Sequence, residues 1–268
     1  MAGDNWSTHD GARAALRVRG LTVAYGGVQA LTDLDLAVGE GKLVGLIGPN
    51  GAGKTTCIDA ITGFTPCSGR VELDGVDISR ASPSQRARHG LARTWQGIEL
   101  FDELTVRENL AVARGRPTAR RLALELITGR TQSHTAVDTT LDLLGLRSLG
   151  GELPGVLTQG QRKLVGVARA LVSKPRVICL DEPAAGLNTH ESQELGRTLR
   201  EVVRAGTSML LIDHDMGLVL TYCDEVTVLE FGRTIAQGPP NEVGAIPAVV
   251  EAYLGKAGAA VMTEIAEP

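Results

Sequence analysis

The chain has 268 residues, a formal net charge of −4 and 22% charged residues, which is ordinary for a globular protein. The negative charge argues against non-specific nucleic-acid binding, which usually needs a basic face. No apolar run approaches the roughly 20 residues of a membrane-spanning helix, so we expect a cytoplasmic chain for which another subunit would supply any membrane part.

The first third of the chain is predicted to be rich in strands. After a flexible tail over 1–14, the predicted elements are strands 16–24, 31–38 and 43–47, a helix 54–63, a hairpin 70–78 and a helix from Ser82-Pro83 to Ala92. The second strand alternates apolar and polar residues, which favours an antiparallel N-terminal β portion. The third is entirely apolar, which is typical of a strand buried on both faces.

The middle of the chain has helical patterns only. No strand pattern is found between 97 and 149, and the predicted helices there and just beyond are 109–114, 120–127, 136–144 and 162–172. We interpret the stretch from about 97 to 172 as a helical subdomain inserted into an α/β domain.

Strands and helices alternate again in the last third. The predicted elements are strand 177–180, helix 191–204, strand 208–212, a helix after His214 and a hairpin 225–236, followed by a flexible tail over 256–268. Such alternation implies a mainly parallel sheet with right-handed crossovers. The prediction is therefore one α/β domain over 15–255, with a mainly parallel sheet, an antiparallel N-terminal portion and the inserted helical subdomain.

The strongest motif is a glycine-rich loop between a buried strand and a helix. It fits the pattern GxxxxGK[ST] and consists of Gly48, Pro49, Asn50, Gly51, Ala52, Gly53, Lys54 and Thr55, with Thr56 next. Glycines let backbone N–H groups curl around phosphate oxygens, and the helix N-terminus adds a favourable dipole. We expect Lys54 to reach the β- and γ-phosphates of a nucleotide, and Thr55 to ligate Mg²⁺.

Two other predicted strands end in residues that suit nucleotide hydrolysis. Asp181 and Glu182 follow one of them, and His214 follows the other. Ligands in parallel sheets bind at the carboxyl ends of the strands. We predict that Asp181 holds Mg²⁺, Glu182 polarises the attacking water, and His214 donates to the γ-phosphate. A solvated or structurally bonded imidazole is the alternative for His214.

The order of these and further motifs resembles the ABC ATPase family. The motifs are the phosphate loop, Arg93-Thr94-Trp95-Gln96, Leu157-Thr158-Gln159-Gly160-Gln161, Leu180-Asp181-Glu182-Pro183, Ala185-Gly186-Leu187-Asn188 and His214. The similarity runs from about 16 to 255. Within the family it is greatest to the ATPases of branched-chain amino acid importers, through 93–96, 182–188, 214–216 and 251–255. This implies the P-loop NTPase type of fold and an ATPase that uses ATP and Mg²⁺.

The resemblance implies roles for further residues. Tyr25 would stack on adenine, with packing in the core as the alternative. Gln96 would sense the γ-phosphate and Mg²⁺ and report to a transmembrane partner. The signature residues, which would touch the ATP held by a second subunit, are Thr158, Gln159, Gly160 and Gln161. Gln159 stands where the family usually has glycine, so it adds a side chain near phosphate. An ordinary helix N-cap at Thr158 is the plainer interpretation, and it is compatible with the signature role.

The resemblance also implies partners. They are a second ABC ATPase subunit, identical or different, and transmembrane permease subunits that dock near Gln96–Phe101. A solute-binding protein would be an indirect partner. The chain would then lie on the inner face of the cell membrane as a peripheral subunit. Trp95, Leu100 and Phe101 would form that docking surface or pack between subdomains. The rival functions are the ATPase of a lipid or lipopolysaccharide exporter and a soluble ABC ATPase; a P-loop kinase is disfavoured by the signature.

Overall fold

The computed structural model describes residues 13–97, 100–114 and 132–253 of the chain. The strands are β1 (Ala14–Tyr25), β2 (Val28–Gly39), β3 (Leu43–Ile47), β4 (Ser68–Leu73), β5 (Val76–Asp77), β6 (Leu91–Arg93), β7 (Val177–Asp181), β8 (Ser208–Ile212), β9 (Glu225–Glu230) and β10 (Arg233–Gly238). The helices are α1 (Lys54–Thr62), α2 (Pro83–His89), α3 (Val106–Ala113), α4 (Gln132–Leu143), α5 (Gln159–Leu171), α6 (Thr189–Arg204), α7 (Met216–Tyr222) and α8 (Pro240–Val243), with further helical turns over 247–253. Within these ranges no helix combines the length and apolarity that a membrane crossing requires.

The central sheet has six strands in the order β10-β9-β3-β8-β7-β6. Five of them run parallel, and β10 pairs antiparallel with β9. The predicted mainly parallel sheet is therefore confirmed, and so is the C-terminal hairpin. Because the sheet is parallel, β3, β6, β7 and β8 all end at the same edge, where the predicted motifs follow them.

A second sheet is antiparallel and has the order β2-β1-β4-β5. It confirms the predicted antiparallel portion and the hairpin at 70–78. Since β4 and β5 follow α1 in the chain, this sheet is not made from the N-terminal strands alone.

Two apolar cores lie on the two faces of the central sheet. Along β3, Leu43 and Ile47 belong to one core and Val44 and Leu46 to the other, because successive side chains of a strand point to opposite faces. The first core also contains residues of α3, α5, α6 and α7. The second contains residues of α1 and of the antiparallel sheet. The central sheet is therefore the middle of three layers.

The middle stretch of the chain is helical wherever it is described. Between β6 and β7 the described residues form α3, α4, α5 and two 3₁₀ turns (Arg147–Leu149 and Pro154–Val156), without a strand. Helix α5 begins at Gln159, earlier than predicted, because Thr158 and Gln161 form a capping box. The helix predicted over 120–127 lies outside the described residues.

One predicted helix is wrong at its C-terminal end. The helix that starts after Ser82 was expected to reach Ala92, but α2 ends at His89 and Gly90 takes a left-handed conformation with φ 103°. Leu91–Arg93 instead forms β6, which pairs parallel with β7. This three-residue strand is too short to give a period, and it carries the segment 93–96 to the sheet edge.

Candidate functional site

The phosphate loop joins β3 to α1 and depends on glycine at two positions. Gly48 has φ 156°, and a Cβ there would lie 2.2 Å from the carbonyl oxygen of Leu229. Gly53 has φ 104°, and a Cβ there would lie 2.8 Å from the carbonyl oxygen of Ala30. Neither position could take a side chain without moving backbone atoms, so the curled loop follows directly from the glycines.

The N-terminus of α1 differs from those of the other long helices with a described cap. Helices α3, α5 and α6 each begin with a capping box, at Thr105, Thr158 and Asn188. The N-cap residue of α1 is Gly53, which offers no side-chain cap, and the first turn of the helix has no acidic residue. Its first N–H groups and its dipole are therefore available to an anion.

Lys54 is folded back onto this loop. Its ammonium donates to the carbonyl oxygens of Gly48 at 2.6 Å and Pro49 at 3.0 Å. Burial lowers the pKa of Lys54, and the carboxylates of Glu182, Asp181 and Asp213 oppose that shift. The lysine thus lies between the loop and the acidic ends of β7 and β8.

Asp181 ends β7 in a buried ion pair with the end of β6. Arg93 Nη2 lies 3.1 Å from Asp181 Oδ2, and Arg93 Nη1 lies 2.5 Å from Asp59 on α1. The Asp181 backbone N–H also donates to the Thr94 hydroxyl at 3.2 Å. Burial raises the pKa of Asp181, and the charge of Arg93 opposes that rise. Asp181 Oδ1 is buried and accepts no hydrogen bond from the described residues, so it is a free acceptor for a cation.

Glu182 lies next to the other predicted reactive groups. Its Oε2 accepts a hydrogen bond of 2.7 Å from Gln96 Nε2 and lies 3.9 Å from Nδ1 of His214. The residue has φ 47°, a left-handed conformation that is uncommon for non-glycine residues and is often found at functional sites. The structure therefore brings Gln96, Glu182 and His214 together, as predicted.

His214 is presented to solvent by a buried aspartate that the sequence reasoning missed. The carboxylate of Asp213 accepts the backbone N–H groups of Ala184, His214 and Asp215. Burial raises the pKa of Asp213, while these N–H donors oppose the rise. The His214 side chain is 56% exposed and its Nδ1 lies 3.9 Å from Glu182 Oε2, an arrangement that a solvated imidazole and a donor to the γ-phosphate both allow. Asp213 precedes His214 directly, so its place at the end of β8 was the signal that could have found it.

The aromatic residues of the site are exposed. Tyr25 is 53% exposed at the end of β1, with its hydroxyl 3.4 Å from the Thr65 hydroxyl, so the core-packing alternative does not describe it. Trp95 is also half exposed and is stacked by Arg93, whose guanidinium carbon lies 3.9 Å from the ring centroid. Leu100 packs against the first apolar core, which contains residues of α3 and α5, whereas Phe101 is exposed.

A groove of about 300 Å³ opens beside Trp95, between the end of β6 and helix α5. The residues that line it include Arg93, Trp95, Leu100, Lys163, Arg169 and Pro183. Two charged residues of the site, Arg93 and Asp181, also form part of its wall. The groove therefore adjoins the carboxylate ends of the strands.

Among the signature residues, Thr158 and Gln161 contact each other and Gln159 contacts a loop of its own chain. Thr158 and Gln161 satisfy each other in the capping box, with hydrogen bonds of 3.0 and 3.2 Å. The Gln159 side chain lies over Gly186, where an added Cβ would be 2.4 Å from Gln159 Nε2. The extra side chain at the signature thus occupies space that Gly186 leaves empty.

The comparisons with known proteins agree with this geometry. The family described as ABC transporter matches residues 31–185, and the family described as branched-chain amino acid ATP-binding cassette transporter matches 233–259. The chain is 37% identical over 253 residues to the high-affinity branched-chain amino acid transport ATP-binding protein BraF of Pseudomonas aeruginosa, covering 91% of this chain and 99% of that protein. It is 39% identical over 251 residues to LivG of Salmonella typhimurium, which has the same description, covering 90% and 98%.

A solved structure has the same fold. It is the ADP conformation of MJ1267, an ATP-binding cassette of an ABC transporter, with a TM-score of 0.80 and 32% identity. The comparison covers 91% of this chain and 99% of that one.

Proposed function

Because this chain belongs to the ABC transporter ATP-binding family, we propose that it binds and hydrolyses ATP to drive a membrane importer. The observation that carries the proposal is the convergence of an uncapped phosphate loop, the Asp181–Glu182 pair and His214 at one sheet edge. The match over 233–259 to a branched-chain amino acid transporter family favours an importer of branched-chain amino acids or similar small polar solutes over a lipid exporter.

The residues divide the hydrolysis between them. The N–H groups of α1 and the ammonium of Lys54 would bind the phosphates, with Tyr25 stacking on adenine. Glu182 would accept the proton of the attacking water, because its carboxylate is held in place by Gln96. The imidazole of His214 would donate a hydrogen bond to the γ-phosphate and stabilise the charge that develops there.

The residues also fit Mg²⁺, which supplies charge neutralisation of the phosphates when it is bound. The Asp181 carboxylate, the Thr55 hydroxyl and the Gln96 side-chain carbonyl are oxygen donors of the kind that Mg²⁺ prefers. The unpartnered Asp181 Oδ1 is the observation that supports this assignment.

The site is proposed to work in a dimer. One chain carries the groups on one side of the nucleotide, and the signature at the start of α5 would close the ATP of a second ABC ATPase subunit. ATP that binds the closed pair better than the open one stabilises closure, and hydrolysis removes that preference. The groove beside Trp95 would receive a permease subunit at the inner face of the membrane, and a solute-binding protein would act through that permease.

The ATPase proposal is tested with Lys54→Ala and Glu182→Gln. Lys54→Ala should lose ATP binding, measured by equilibrium titration with a fluorescent nucleotide. Glu182→Gln should bind ATP normally and hydrolyse it about 10²- to 10⁴-fold more slowly, because an amide cannot act as general base. The same Glu→Gln change at the exposed Glu194 on α6 is the matched control. Normal turnover by Glu182→Gln, or unchanged ATP affinity of Lys54→Ala, would contradict the assignment.

The transport proposal is tested by trapping the complex. Tagged Glu182→Gln is expressed in its native cell, and membranes are solubilised with ATP and Mg²⁺ before purification. Recovery of two multi-span membrane proteins and a second ATPase supports the importer. Recovery of ribosomes, of DNA-associated proteins or of a soluble homodimer alone contradicts transport and leaves the ATPase assignment standing.

A further inference from the structure

Lys163 is a buried cation that the mechanism above does not use. It lies on α5, within two turns of the signature, and only 8% of it is exposed. Its ammonium donates to the backbone carbonyl oxygen of Glu182 at 3.4 Å. Burial lowers the pKa of Lys163, while the carboxylates of Asp213 and Glu182 favour its charged form. A lysine in such surroundings is costly to bury unless it has a specific partner.

Its partner is a peptide in an unusual backbone conformation. Glu182 has φ 47°, and strained conformations of this kind persist only where several contacts determine them. The Glu182 N–H donates to the Ile212 carbonyl at 2.8 Å, and its carbonyl accepts the Ala185 N–H at 3.2 Å. Both are backbone contacts from the sheet edge or the following turn. Lys163 adds a side-chain contact to the same carbonyl from a different layer of the fold.

The helix that carries Lys163 also begins with the signature. Thr158 caps α5, and the capping box fixes the helix start. Lys163 lies four residues after Gln159, about 6 Å along the axis at 1.5 Å per residue, so a displacement of the N-terminal turn as a unit would also displace the Lys163 ammonium. Lys163 also lines the groove beside Trp95, so it lies between that groove and Glu182.

We propose that Lys163 is a positioning residue that holds the Glu182 backbone in its catalytic conformation and links it to the signature helix. The inference rests on the proposed function, since Glu182 must be the general base for its position to matter. In a dimer, binding of the second subunit's nucleotide to the signature would then change the position of Glu182, the general base, in the same chain. The two nucleotide sites would be connected through one buried side chain.

The experiment compares Lys163→Met, Lys163→Arg and Lys174→Met. Lys174 is an exposed residue just after α5 and offers the same chemical change away from Glu182. ATP affinity is measured on the isolated chain. ATP turnover is measured on the complex purified from membranes through a tag on each variant, with Glu182 left intact. Thermal unfolding of each variant checks that it is folded under the assay conditions.

We expect Lys163→Met to lower kcat about 10-fold or more while KM and the ATP affinity of the isolated chain change less than about 2-fold. Lys163→Arg should recover most of kcat because it keeps a cationic donor, and Lys174→Met should match the wild type. Normal kcat in folded Lys163→Met overturns the inference. A loss of kcat that Lys163→Arg does not restore also overturns it, and so does an effect seen mainly as weaker ATP binding. Either result would show that Lys163 has a purely structural role. If the wild-type chain shows no turnover that depends on Lys54, the proposed function itself has failed.

Discussion

Arg93 makes the ion pair whose loss should be the easiest to detect. Its side chain is 6% exposed and bridges Asp59, 26% exposed, and Asp181, 3% exposed. Replacing Arg93 by Met keeps apolar volume but leaves Asp181 as a buried charge without its partner. Removing one member of a buried pair costs about 3–5 kcal/mol. We expect about 3 kcal/mol, because water can reach Asp59 and compensate there.

The pH dependence has a definite sign. Burial raises the folded-state pKa of Asp181, and Arg93 is the leading influence that lowers it. Without Arg93 that pKa rises further above the unfolded value of about 3.9. Above the new folded-state pKa of Asp181, the variant loses the full free energy of unfolding that a buried, unpaired carboxylate costs. This loss becomes smaller as the pH falls through that pKa, because the carboxyl binds a proton and loses its charge. The destabilisation caused by Arg93→Met should therefore be smaller at pH 5 than at pH 8.

The assay is urea unfolding of the nucleotide-free chain at both pH values. Arg70→Met is the matched control, since Arg70 is half exposed and pairs with Glu72 and Asp77 at the surface. Such exposed pairs contribute about 0–1 kcal/mol. Equal losses for the two variants, or a loss for Arg93→Met that grows on acidification, would refute the reasoning.

Three further predictions concern the rest of the site. Tyr25→Ala should weaken ATP binding about 10-fold in nucleotide titrations, whereas Tyr25→Phe, which keeps the ring, should bind ATP normally. Because the ring is exposed, Tyr25→Ala should change the free energy of unfolding by under about 1 kcal/mol. Asn109→Ala should lower the free energy of unfolding by about 2–3 kcal/mol in urea, since this fully buried amide holds the loop around Phe101 with four hydrogen bonds. Gly186→Ala should destabilise the chain by about 2 kcal/mol, and Gln159→Ala should relieve part of that loss, giving a coupling of about 0.5–1 kcal/mol in a double-mutant cycle. Additive effects would show that strain at φ 79°, rather than Gln159, causes the loss.

The parts of the site that are local in sequence could be predicted. The phosphate loop is a contiguous motif between a buried strand and a helix, and glycine at Gly48 and Gly53 is required by backbone geometry that the pattern already encodes. The apolar runs of β3, β7 and β8 gave the parallel sheet, because a strand buried on both faces needs no polar alternation.

The parts that depend on pairing across the chain could not be predicted. The direction of the Gln159 side chain depends on the space left by Gly186, which is remote in sequence. The contact of Lys163 with the Glu182 carbonyl depends on how α5 packs against the sheet edge. The left-handed conformation of Glu182 has no sequence signal, since non-glycine residues there are rare.

The unpredicted strand β6 carries the segment with Gln96 to the sheet edge where Glu182 lies. In β6, Leu91 pairs with Val177 and Arg93 with Cys179 of β7. Gln96 and Glu182 are 86 residues apart, the same separation as these strand partners, and their side chains are joined by the hydrogen bond of 2.7 Å. The two side chains thus meet just beyond the last backbone pair of β6 and β7, which joins Arg93 to Cys179. A slip of one residue would turn every side chain of β6 to the opposite face of the sheet, so the pairing of β6 with β7 sets where the segment 94–96 leaves the sheet edge.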